Sequence, residues 1–149
     1  MLNSHYKDIL SILSEKKVKF LLVGAYAMAV HGYPRSTMDI DLLIMPEPEN
    51  ASLVLQALTV FGAPIEELSV DDLQKEGIIF QIGVAPCRID ILTSIDGINF
   101  EDAYLRSELV DIEGIPIHVL SVQDIIVNKR ATGRTKDLAD AEMLEEIKY

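Results

Sequence analysis

Residues 18–24 read VKFLLVG, a nearly continuous apolar run short enough for a strand and closed by a glycine. Alternate side chains of a strand point to opposite faces, so a run that is apolar at almost every position needs cover on both sides. A chain built around such a strand needs helices packed against its sheet. The 149 residues suffice for one domain over 1–149, and a domain of that size buries roughly two thirds of its extended-chain surface without a disulfide or structural metal. The hydrophobic fraction of 49% argues against disorder, and a single cysteine excludes an internal disulfide.

Local signals supply the remaining elements. Near-helical spacing of Tyr6, Ile9, Leu10, Ile12 and Leu13 predicts a helix over Asn3–Lys16, capped by Asn3 or Ser4. After Gly24, the segment AYAMAVHG predicts a short helix ending near Gly32. Met38–Met45 reads as a second strand stopped by Pro46, and Pro48 opens a helix over Glu49–Phe61. Val70–Glu76 predicts a helical turn, Gly77–Gly83 and Cys87–Leu92 two strands, and Phe100–Arg106 a short helix. Glu113-Gly114 predicts a hairpin between Glu108–Ile112 and Ile115–Leu120. Ser121 is placed to cap a helix running to about Ala131, and a last helix over Lys136–Ile147 is expected to bury Leu138, Ala141, Leu144 and Ile147. This order predicts an α/β (α+β) domain with a mixed sheet flanked by helices.

Charge narrows the partners. Thirteen Lys and Arg against 24 Asp and Glu leave a formal net charge of -11, a surface that repels a phosphate backbone and argues against a general nucleic-acid binder. Within it, NKRATGRTK at 128–136 gathers Lys129, Arg130, Arg134 and Lys136, either as an anion site or as cations set against a helix end. The first residues lack a cationic run followed by an apolar stretch, and no 18-residue apolar run occurs, so a cytoplasmic protein with no membrane span is expected.

Asp39-Ile40-Asp41 interrupts an apolar strand, where carboxylates are uncommon without a partner. Alternation sends both to one face, so they either hold a divalent cation, Mg²⁺ or Mn²⁺, or lie solvated at the strand end. Asp90 interrupts a second apolar strand in Arg88-Ile89-Asp90-Ile91-Leu92, with Ile89 and Ile91 facing the core. Were the two strands neighbours, three carboxylates would share a face and could support in-line displacement with metal ions; otherwise Asp90 pairs with Arg88 or a basic helix. Gly24 ends a buried strand and opens a helix whose free N–H groups suit phosphate oxygens. His31 is expected to offset a helix C-terminus, and Cys87 reads as a small apolar residue rather than a nucleophile.

Taken together, LLVGAYAMAVHGYPRSTMDIDLLI resembles the nucleotidyltransferase fold of the DNA polymerase beta superfamily, in particular its minimal members at toxin–antitoxin loci. The family pattern of strand, G-[GS], D-x-[DE] and a later strand Asp is matched by Gly24-Ala25, Asp39-x-Asp41 and Asp90. His31-Gly32, Arg35-x-Thr37, Lys129 and Lys136-Asp137-x-x-Asp140 resemble the abortive-infection type. The resemblance implies transfer of a nucleoside monophosphate from an NTP to a hydroxyl of a protein, a transfer RNA or a small molecule. It implies metal on Asp39, Asp41 and Asp90, and nucleotide at Gly24, Ala25, Arg35, Thr37, Lys129 and Lys136. It also implies a small helical partner protein. Ala25 departs from the family's Gly or Ser, which leaves open a catalytically silent domain of the same fold serving as antitoxin or regulatory partner.

Overall fold

A computed structural model describes residues 2–33 and 37–147, with no side chain described for Ile147. The expected burial of Ile147 and the nucleotide role of Arg35 therefore lie outside the described residues. In chain order the elements are α1 (Ser4–Glu15), β1 (Phe20–Val23), α2 (Gly24–Val30), β2 (Asp39–Ile44) and α3 (Pro48–Phe61). A 3₁₀ turn (Asp72–Gln74) precedes β3 (Ile79–Ile82), β4 (Arg88–Leu92) and α4 (Phe100–Arg106). The hairpin β5 (Glu108–Ile112) and β6 (Ile115–Val119) leads to α5 (Val122–Thr132) and α6 (Thr135–Ile147).

The caps follow from residue type. Asn3, Glu47, Asn99 and Ser121 each accept a backbone N–H with their side chain at the start of α1, α3, α4 and α5. β1 begins at Phe20 rather than Val18: Lys17 turns through φ 60, and the Lys19 N–H goes to Asn50 Oδ1 at 2.8 Å. In the β5–β6 turn, Glu113 (φ 51) and Gly114 (φ 89) both take left-handed backbone, the two-residue geometry whose twist suits a hairpin.

The strands form one six-stranded mixed sheet in the order β3-β4-β2-β1-β6-β5. β2 runs antiparallel to β1 and parallel to β4, and β1 runs parallel to β6. The core joins Tyr6, Ile9, Leu10 and Leu13 of α1 and Ala51, Val54 and Leu58 of α3 to Leu21, Leu22, Ile40, Leu42, Ile89 and Ile91 of the sheet. α2 packs on β1 and β2, directly beside the strand that carries the acidic pair.

One expectation about α6 is corrected. Leu138 is 42% exposed, and the inward stripe is Asp137, Asp140, Ala141 and Leu144. The positions at i, i+3, i+4 and i+7 share a helix face, and this face is set by a cation rather than by apolar residues alone. Lys129 of α5 reaches Asp137 at 3.3 Å and Asp140 at 3.2 Å.

Candidate active site

The parallel register of β2 and β4 sets Asp39 beside Arg88 and Asp41 beside Asp90. Because residues two apart on a strand share a face, these four side chains form one patch, while Ile40, Ile89 and Ile91 point into the core. Each of Asp39, Asp41 and Asp90 offers a carboxylate oxygen within 4.8 Å of the others. The condition on which the acidic cluster depended, that its two strands be neighbours, is met.

The patch is crowded with negative charge, and two devices answer it. The first is a proton: burial, then the charges of Asp39 and Asp90, push the Asp41 carboxyl up to about 7, with a hydrogen bond to Asp90 favouring the protonated form. The second is Arg88, whose Nη2 lies 2.6 Å from Asp39 Oδ2 and 3.1 Å from Asp90 Oδ2, with Nε 2.9 Å from Asp90 Oδ1. The alternative in which Asp90 pairs with Arg88 thus holds alongside the clustering. The hydrogen bonds it donates to Asp90 hold the Arg88 guanidinium even more firmly protonated than usual. Asp90 itself is only 5% exposed.

Neighbouring groups fix this geometry. Gly24 sits at φ 70, and a Cβ there would collide with the Asp41 carboxylate, so only glycine lets the β1–α2 turn close over the patch. Val23, the residue preceding α2, gives no side-chain cap to that helix, and Ala25 is half-buried in its first turn. The Thr37 hydroxyl accepts the Asp39 N–H at 3.3 Å and lies 3.0 Å from Asp39 Oδ1 and 2.9 Å from the Asp39 carbonyl. Its single proton serves one of the latter at a time, and its contacts make it a brace for Asp39. The Tyr6 hydroxyl lies 3.2 and 3.1 Å from the carbonyls of Pro86 and Arg88, anchoring the start of β4 to α1. Burial above all, and then neighbours including Tyr26 and Asp39, push that phenol up to about 12, so it stays a donor.

Other candidates are engaged elsewhere. His31 ends α2, but its ring reaches beyond its own helix: Nε2 lies 2.8 Å from the Leu120 carbonyl oxygen and Nδ1 3.2 Å from Glu108. Cys87 is half-buried, with the Asn3 amide 3.7 Å from its sulfur, consistent with a packing role. In the basic segment, Lys129 is held by Asp137 and Asp140, Arg130 by Glu145 and Arg134 by Asp137, while Lys136 is exposed. Burial raises the Asp137 carboxyl, yet hydrogen bonds from Thr132 and Arg134 and the charge of Lys129 leave it below its ordinary value. The cations at 129–134 are thus countered by carboxylates of α6.

A groove of about 730 Å³ lined by Asp8, Glu15, Phe61, Val84, Cys87 and Ile89 lies away from this chemistry. Ile89 alternates with Arg88 and Asp90 on β4 and so points to the opposite face, and Cys87 directly precedes that strand. The donor set for a cation is the acidic patch alone among the described residues: three hard carboxylates, one with a raised pKa, fit Mg²⁺ or Mn²⁺.

The residue that sequence reasoning undervalued is Arg88, weighed as a partner for Asp90 but not as a bridge to Asp39. Its signal is R-x-D in one strand facing D-x-D in another, legible only once the register is known.

Comparison with known proteins agrees with this picture. A family model described as a nucleotidyltransferase of unknown function (DUF6036) matches residues 2–147. A crystal structure of a candidate nucleotidyltransferase from Thermotoga maritima superposes with a TM-score of 0.61 at 18% identity, covering 98% of this chain and 94% of that one. No curated protein sequence matches.

Proposed function

From the premise that the chain belongs to that family of nucleotidyltransferases, we propose that it transfers a nucleoside monophosphate from an NTP to a hydroxyl acceptor and releases pyrophosphate. The observation that supports this most is the β2–β4 register, which puts the oxygens of Asp39, Asp41 and Asp90 within reach of a common cation.

In this reading Asp39 and Asp41 hold the divalent ions and Asp90 completes the site. The bound cation supplies positive charge that acidifies the acceptor hydroxyl and offsets charge on the phosphates. Asp90 takes the hydroxyl proton as the acceptor oxygen bonds to the α-phosphorus and the bond to the leaving pyrophosphate breaks. The N–H groups of Gly24 and Ala25 hold terminal phosphate oxygens at a helix start that no side chain caps. Thr37 keeps Asp39 in place through its hydroxyl. Lys129, Lys136 and Arg35 are the cations assigned to the pyrophosphate; Lys129 is already balanced by Asp137 and Asp140 and acts by position rather than as surplus charge.

The acceptor is a hydroxyl of a protein, a transfer RNA or a small molecule. A toxin–antitoxin setting with a small helical partner and a cytoplasmic home complete the proposal. No helix among the described residues is long and apolar enough to cross a membrane. Ala25 favours a second reading, a silent domain of the same fold acting as antitoxin or regulator, because a methyl stands where the resembled family carries Gly or Ser.

Calorimetric titration of a non-hydrolysable NTP with Mg²⁺ tests the site. Binding that vanishes without Mg²⁺ and in the Asp39→Asn, Asp41→Asn protein is the expected result, and equal affinity in both proteins removes the metal assignment. Pyrophosphate release with an added acceptor separates the enzyme from the silent domain.

A further inference from the structure

Every carboxylate oxygen of Asp39 and Asp90 already has a protein donor. Asp39 Oδ1 faces Thr37 and Oδ2 faces Arg88, while both oxygens of Asp90 face Arg88. Asp41, the remaining member, stands level with Asp90 in the β2–β4 pairing. A divalent cation that takes these oxygens therefore competes with Arg88 for them. It must also sit within a few ångströms of a guanidinium of like charge, and the two repel at that distance. The Arg88 side chain is one third exposed, 34%, so it has solvent to move into.

We infer that Arg88 is a built-in counter-cation that occupies the acidic patch in the metal-free protein and is exchanged for the divalent ion, so that its departure sets how readily the metal enters. This rests on the metal site proposed above. The planar fork suits the role, since Nε and Nη2 engage Asp90 together while Nη2 also reaches Asp39, so one side chain bridges two acids of neighbouring strands. An acidic cluster without it would repel itself in the metal-free state, and a stronger lock would exclude the metal. Arg88 thus opposes metal binding and supports the metal-free fold.

Those two effects have opposite signs, and a purely structural arginine would not show that pattern. Mn²⁺ titration followed by the electron paramagnetic resonance of the free ion, together with thermal melts, is carried out on the full chain, on Arg88→Gln and on Asp39→Asn, Asp41→Asn. Arg88→Gln is expected to bind Mn²⁺ about tenfold more tightly, to melt lower than wild type without metal, and to gain more from added Mn²⁺. Unchanged or weaker Mn²⁺ binding by Arg88→Gln, with binding by wild type, overturns the exchange while leaving the metal site intact. Mn²⁺ bound by neither wild type nor Arg88→Gln, or bound equally by the double Asp variant, overturns the metal site and the exchange with it. Should Arg88→Gln fail to fold, Arg88→Lys keeps the charge without the fork and is expected to show a smaller gain in Mn²⁺ affinity; no gain overturns the inference.

Discussion

At Gly24 two requirements meet in one residue. Its φ of 70 costs an L side chain about 1–2 kcal/mol, and any Cβ would meet the Asp41 carboxylate. Gly24→Ala is therefore expected to lower stability by at least that amount in urea unfolding and to weaken Mn²⁺ binding by displacing Asp41. A variant that stays as stable as wild type with unchanged Mn²⁺ affinity would show that the turn relaxes freely. Asp90→Asn separates binding from chemistry: NTP affinity is expected to survive and transfer to be lost, and the reverse pattern would show that the roles are misassigned. Ala25 decides between enzyme and silent domain. If its N–H alone is needed, wild type binds NTP and Ala25→Ser changes the rate by about tenfold at most, the effect of one hydrogen bond. NTP binding that appears only in Ala25→Gly would show the methyl to be a block.

Between elements, the largest departure from sequence reasoning is the α5–α6 contact. An apolar stripe through Leu138 is the obvious choice for a helix of this sequence, yet Asp137 and Asp140 turn inward instead because Lys129 meets both. Truncating that lysine removes the cation shared by both carboxylates while Asp137 keeps Thr132 and Arg134, and Lys129→Met is expected to cost about 2 kcal/mol in urea unfolding. Leu138→Gln, at an exposed position, is expected to stay within about 0.5 kcal/mol of wild type. Equal costs for the two substitutions would mean that the ion cluster contributes nothing to the helix packing.

For the molecule as a whole, the acidic patch makes stability depend on pH in an uncommon direction. The Asp41 carboxyl is raised in the folded protein, mainly by burial and then by Asp39 and Asp90. The folded state therefore holds a proton that the unfolded chain releases at lower pH. This contribution is complete below the ordinary carboxylate range and is lost as pH rises through about 7. Metal-free protein is expected to melt at lower temperature at pH 8 than at pH 6 on this account, and the difference is expected to shrink with saturating Mg²⁺. Mn²⁺ affinity is expected to rise over the same interval, because the ion binds the deprotonated carboxylate. An affinity that stays flat from pH 6 to pH 8 would show that no ligand of the ion titrates in that interval.

Much of this protein is written locally. The apolar run at 18–24, the proline and glycine stops, the Ser121 cap and the Glu113-Gly114 turn each act over a few residues, so strands, helices and hairpin can be read from neighbours in the chain. The face shared by Asp39 and Asp41 follows from alternation alone. What needed the tertiary structure was every relation between distant segments: that β4 lies parallel beside β2, that Asp90 stands level with Asp41, that Arg88 reaches across to Asp39. Strand order and register arise from the packing of whole faces and from long-range pairing, and residue type at one position carries no record of them. The same holds for α6, whose inward face was decided by a lysine on another helix.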